Sequence, residues 1–301
     1  MKTKETKPDY IHIDIDSVLR QRLPRHYRYI PRFLIRMVEK WICQDKLNEM
    51  LRVNRGKRDA DFCRGVIDHL SIRYTIDSQE NLPADGRALF VCNHPLGGLD
   101  GMILIDMLTR RYGPGVKFVV NDLLMAIEPL SGTILPVNKF GRQSRQATAA
   151  LDSAFAGPAP VIIFPAGLVS RKQKGGIADL KWQKMFVNKA IASRRDVIPL
   201  HFVGRNSKFF YNFAKLRTLL GIPVNIEMLR LPAEVFRSAG RSYSIRVGAP
   251  VKWQNLKGGL QAERQALDIR NASYALAREP LSQKHTHSIS LTNGQSRCSA
   301  T

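Results

Sequence analysis

The sequence predicts an α/β protein with a mixed, largely parallel sheet flanked by helices and preceded by a helical N-terminal region. Three observations carry this. First, from residue 71 onward, runs of strand length occur at 72–75, 88–92, 117–120, 161–164, 197–203 and 243–247. Second, stretches of helical character near 100–110, 143–156, 180–194, 207–219 and 261–278 separate them. Such alternation covers a sheet with helices on both faces. Third, the spacing before residue 80 is mostly helical.

Taken in order, Asp16-Ser17 caps a first helix that ends before Pro24. Residues 30–41 then carry Ile30, Phe33, Leu34, Met37, Val38 and Trp41 at helical spacing. Between residues 20 and 40 lie seven Lys/Arg against one acid, Glu39. A basic, amphipathic, Trp-bearing stretch suits an interfacial membrane helix, and equally a helix packed on the main domain with a solvated basic face. Pro83-Ala-Asp-Gly86 is a turn before the first core strand. The expected organisation is a basic helical region over 1–80, an α/β domain over 81–279 and a disordered tail over 280–301.

The 301 residues are 44% hydrophobic and 24% charged, which excludes a disordered or fibrous chain. Lys+Arg number 47 and Asp+Glu 25, a net charge of +22. That balance points to a polyanionic partner, either nucleic acid or an anionic membrane surface. Aromatics are only 8% and do not interleave with the basic runs, so no nucleic acid is expected. Cys43, Cys63, Cys92 and Cys298 show no paired spacing, so neither a disulfide framework nor a zinc site is indicated. No signal-peptide pattern and no apolar run of about 18 residues occurs, so membrane work would be done on the bilayer and not through it.

The segment from Ala88 to Met102 carries the main chemical signal. An apolar strand runs into Asn93-His94, then Pro95-Leu-Gly97-Gly98-Leu, then Asp100 at a helix opening. Strand-end loops are where sites form in open α/β sheets. A histidine can act as general base, and a carboxylate close behind can orient its ring. The alternative is a turn histidine with local hydrogen bonds. The Gly-Gly turn and Asp100 favour catalysis. Further along, Arg142 and Arg145 fall at a helix N-terminus, where N–H groups and guanidinium forks converge into an anion site. Phe164-Pro165-Ala166-Gly167 follows a buried-strand pattern, and Ser170-Arg171-Lys-Gln-Lys174 opens a basic stretch. From 168 to 220 twelve Lys/Arg face only Asp179 and Asp196. His201, inside an apolar strand, is expected to be a core residue and not a second base.

Asn93-His94 to Asp100 resembles the His-x4-Asp motif of the glycerolipid (lysophospholipid) acyltransferases. Here five residues intervene, a spacing similar to a divergent bacterial branch that includes acyltransferases of glycine and ornithine lipids. A Gly-Gly turn can absorb the extra residue. The segments 136–145, 164–167 and 197–202 resemble the family's later blocks, in order, with Ala166 where the family has Glu. Together they span residues 85–205. The resemblance implies that His94, held by Asp100, deprotonates an acceptor hydroxyl. It implies substrate contacts from Asn93, Gly97, Gly98, Arg142, Arg145, Phe164, Pro165, Gly167 and Arg171.

The donor would be a thioester of acyl carrier protein or CoA, with neither metal nor further cofactor. The acceptor would be a lysolipid, a lyso-glycine lipid in preference to lysophosphatidic acid. The expected location is the cytoplasmic face of the bacterial inner membrane, as a peripheral protein. A membrane scaffold with an inactive site is the competing reading, kept alive by Ala166.

Overall fold

The computed structural model describes residues 11–121, 128–137 and 145–277. The expected tail 280–301 and Arg142 lie outside the described residues. Four helices come first: α1 (Ile15–Arg22), α2 (Arg32–Ile42), α3 (Gln44–Val53) and α4 (Asp59–His69). The cap of α1 is Asp14, which accepts from the Ser17 N–H, two residues before the expected position. Asp16 falls instead in the first turn, where a negative charge meets the positive helix end. Helix α2 packs through Ile35 and Ile42 and leaves Phe33 and Met37 exposed. It ends at Cys43, whose left-handed φ of 55° breaks the chain into α3.

The sheet follows. Its strands are β1 (Arg73–Asp77), β2 (Ala88–Cys92), β3 (Lys117–Asn121), β4 (Ile134–Val137), β5 (Val161–Ile163), β8 (Asp196–Val203) and β9 (Ser242–Val247). A separate hairpin joins β6 (Arg171–Gln173) to β7 (Gly176–Ala178). The connecting helices are α5 (Gly98–Tyr112), α6 (Arg145–Ala156), α7 (Met185–Ser193), α8 (Lys208–Leu219), α9 (Leu231–Arg237) and α10 (Ala262–Leu276). The seven strands lie in the order β1-β9-β8-β2-β5-β3-β4. Five run parallel as a block, and the β1–β9 pair joins it antiparallel through β8. The expected mixed, largely parallel sheet is therefore present. Strand β1 comes from within residues 1–80, so that region contributes to the sheet as well as the helices.

β2 lies near the middle, and all five of its residues are buried. Ala88, Phe90 and Cys92 face a core shared with α4 and α5, while Leu89 and Val91 face one shared with α6, α7 and α10. This two-sided burial explains an apolar run without alternation. At the foot of β8 the buried Arg195 donates to the carbonyls of Ala88, Phe155 and Ala159.

Three elements escape the sequence pattern. β4 contains Pro136, tolerated because β4 is an edge strand. The β6–β7 hairpin sits in what reads as a solvated basic loop. α9 is only seven residues long. No helix among the described residues is long and apolar enough to cross a membrane.

Candidate active site

The parallel block directs the C-terminal ends of its strands to one edge, and β2 emerges there between β8 and β5. Asn93 is the first residue past β2. Its Nδ2 donates to the Phe202 carbonyl (3.0 Å) and its Oδ1 accepts from the Phe202 N–H (2.7 Å). The side chain thus extends the β2–β8 ladder and is committed to the sheet. Gly97 then reverses the chain at φ +90° and ψ −110°, a conformation suited to glycine. A Cβ there would lie 3.0 Å from Leu231. This turn lets α5 begin at Gly98.

Asp100 consequently occupies the first turn of α5, fully buried. Its Oδ2 accepts from the Leu96 N–H (2.8 Å) and faces His94 Nδ1 at 3.0 Å. Its Oδ1 accepts from the Gly101 N–H (2.9 Å). Acting as acceptor throughout, the carboxylate assigns the imidazole proton to Nδ1 and the lone pair to Nε2. The ring stacks on Phe164, with centroids 4.0 Å apart and planes at 18°. Phe118 meets Phe164 edge-on at 5.3 Å, and Gly101 leaves room for it, since a Cβ would sit 2.8 Å from Phe118.

The backbone of His94 has a second anchor that the sequence did not single out. Asp179 Oδ1 accepts from the His94 N–H (3.1 Å) and the Ser170 hydroxyl (2.6 Å), and Oδ2 accepts from the Trp182 indole (2.9 Å). The Ser170 N–H returns a bond to the His94 carbonyl (2.7 Å). Burial pushes the Asp179 carboxyl up from its ordinary range, against the pull of Ser170 and Trp182. The one available signal was an isolated acid in a strongly basic stretch.

The other expected contacts divide. Phe164, Gly97 and Gly98 gather at the dyad. Gly167 closes a tight turn at φ +64°, with its N–H donated to the Phe164 carbonyl (2.9 Å), and the Pro165 carbonyl accepts from the Gln183 N–H. Ala166 is buried in the apolar layer with Leu89, Trp182 and Phe186. Arg171 is taken up within the chain, donating to the Val169 carbonyl (2.9 Å) and to the buried Glu227 (2.8 Å). Arg145 is exposed at the start of α6, the helix that follows the edge strand β4, which is three strand positions from β2.

Beside the turn, Val169, Phe210, Tyr211, Met228 and Leu231 form an apolar wall. The Tyr211 hydroxyl accepts from the Asn206 N–H (3.0 Å), and burial pushes it up to about 12. His201 lies buried in β8, edge-on to Tyr274 at 5.3 Å, and burial pulls it down to about 4 with Arg246 adding to the effect. Such a histidine stays neutral and is a core residue. Among the described residues, no group of three His, Cys, Asp or Glu could hold a metal.

A histidine held through Nδ1 by a buried carboxylate at a helix opening is an arrangement that can take a proton from a substrate group through Nε2. The profile of a protein family described as Acyltransferase matches residues 17–281. The chain belongs to that acyltransferase family. It is 40% identical over 273 residues to the lyso-glycine lipid O-acyltransferase of Phocaeicola vulgatus, covering 91% of this chain and 98% of that one. It is 39% identical over 264 residues to the lyso-glycine lipid O-acyltransferase of Bacteroides thetaiotaomicron, covering 88% and 97%. A solved structure, the 1-acyl-sn-glycerophosphate acyltransferase PlsC of Thermotoga maritima, shows a TM-score of 0.44 at 15% identity over 87% of this chain and 88% of that one.

Proposed function

We propose that this acyltransferase moves a fatty acyl chain from a thioester of acyl carrier protein or CoA to the hydroxyl of a lyso-glycine lipid. The reaction rests on one observation, the 3.0 Å pairing of His94 Nδ1 with the buried Asp100. The acceptor rests on the activity named for the two relatives. His94 Nε2 takes the proton of the acceptor hydroxyl. The oxygen attacks the thioester carbonyl, and the Gly97 and Gly98 N–H groups at the opening of α5 receive the oxyanion. Collapse breaks the C–S bond, and the departing thiolate takes the proton from the imidazolium. The Gly167 N–H is donated to Phe164, so it is not the oxyanion donor.

Arg142 holds the acceptor's carboxylate. Arg171 serves instead to position the loop that carries Ser170. With Ala166 packed in the core, the 164–167 turn offers the acceptor an apolar surface. The protein works at the cytoplasmic face of the inner membrane without spanning it.

Purified protein is offered acyl thioester with lyso-glycine lipid and lysophosphatidic acid in parallel, with His94→Ala as control. Acylation of lyso-glycine lipid, lost in the variant, is the expected result. Acylation of lysophosphatidic acid alone overturns the acceptor. Retained activity in His94→Ala overturns the mechanism.

A further inference from the structure

Two helices from distant parts of the chain expose apolar residues beside cations, and they touch. On α2, Phe33 is 67% and Met37 38% exposed, and Tyr29, in the short 3-10 turn that precedes α2, is 69% exposed. Arg32, Arg36 and Lys40 repeat at four-residue spacing along α2, so a cationic ridge runs along an apolar one. On α8, Phe209, Leu216 and Leu219 are exposed, the last at 81%, and Leu220 and Val224 follow at 65% each. Lys208 and Lys215 flank them.

Trp41 at the end of α2 meets Phe213 of α8 edge-on at 5.4 Å, and Phe213 stacks on Phe209. Residues 17–38 and 205–226 contain no Asp or Glu. Folded chains seldom leave so many large apolar side chains in water together.

We propose that α2, α8 and the 219–224 turn form one composite face that seats on an anionic bilayer. The apolar side chains enter the boundary of the acyl region, and the Lys/Arg ridges meet lipid phosphates. The α8 half is the new element, because the sequence reading of 207–219 marks a helix there but no membrane-facing side. A bilayer fits better than an acidic protein. The face is long and carries an apolar tip, Leu219-Leu220-Gly221-Ile222-Pro223-Val224, with no hydrogen-bonding side chain within it. The purpose of the face rests on the lysolipid reading above, but its existence is tested without substrate.

The test is co-sedimentation of the full chain with phosphatidylcholine vesicles, with and without phosphatidylglycerol. The parent is expected to pellet with the anionic vesicles and far less with the zwitterionic ones. Leu219→Asp with Leu220→Asp should weaken partition at least about tenfold. Lys208→Glu with Lys215→Glu should weaken it roughly fivefold per lysine. Both pairs should keep the parent's circular dichroism and its acyl transfer to detergent-dispersed lysolipid. Three results overturn the proposal: a parent that ignores anionic vesicles, α8 variants that bind as the parent does, or light scattering that shows a dimer dissociated by Leu219→Asp with Leu220→Asp. Vesicle binding without acyl transfer would overturn the reaction and leave the surface standing.

Discussion

Replacing Asp100 by Asn tests the dyad with little change of shape. The carboxylate serves Leu96 N–H and His94 Nδ1 on one oxygen and Gly101 N–H on the other. An amide has one acceptor oxygen. With its NH2 toward His94, it donates to Nδ1, shifts the imidazole proton to Nε2 and removes the base. With the oxygen toward His94, the tautomer survives but the NH2 opposes Gly101 N–H. In both orientations the negative charge that steadies the imidazolium is gone. At the 3.0 Å separation, an ion pair in an effective dielectric of about 20 is worth about 5 kcal/mol. Turnover should therefore fall by about three to four decades. The assay is acyl transfer at saturating thioester, followed alongside urea unfolding, which should register the lost amide bond as about 1–2 kcal/mol. Turnover within about tenfold of the parent would refute the reasoning. So would a loss of activity that only tracks loss of fold.

Other outcomes follow from the same geometry. Gly97→Ala should cost about 1–3 kcal/mol of stability by urea titration, because φ +90° strains any side chain. Adding Leu231→Ala should relieve only the steric part. His201, at about 4 when folded against an ordinary 6.5, binds its proton better in the unfolded chain. Its contribution is therefore complete above about pH 6.5 and lost as pH falls toward about 4. By about pH 5 the loss should be about 2 kcal/mol, seen as a steeper pH dependence of urea unfolding in the parent than in His201→Leu. Arg195→Met should cost about 3–5 kcal/mol in the same titration, since buried carbonyls lose their donor.

What the sequence made legible was local. The apolar run 88–92 followed by a Pro/Gly turn identified β2, the turn and the dyad, because strand, break and helix opening are written in consecutive residues. The central strands were plain for the same reason. β4 was hidden by Pro136, which signals a turn wherever the edge position is unknown. The β6–β7 hairpin was hidden by its lysines, whose charge says solvent and not strand. Asp179 and Glu227 were invisible because their partners, His94 and Arg171, are distant in the chain and meet them only through the fold. Arg171 read as a substrate contact for the same reason. The amphipathic reading of 30–41 was right in period. Yet α2 turns Leu34, Ile35, Val38 and Ile42 toward the protein, and leaves Phe33 and Met37 outward.

Glu227 is fully buried, with Arg171 on one carboxylate oxygen and Arg217 of α8 on the other, each at 2.8 Å. Apolar contacts tolerate sliding. A carboxylate gripped from two sides does not, since a small displacement strands a charge away from water. This three-residue strut pins α8 and the 226–230 segment to the strand that follows Ser170, whose backbone holds the His94 carbonyl. The apolar wall that α8 carries is thereby held against the His94 loop by charge, as a bracket holds a shelf, and not by packing alone.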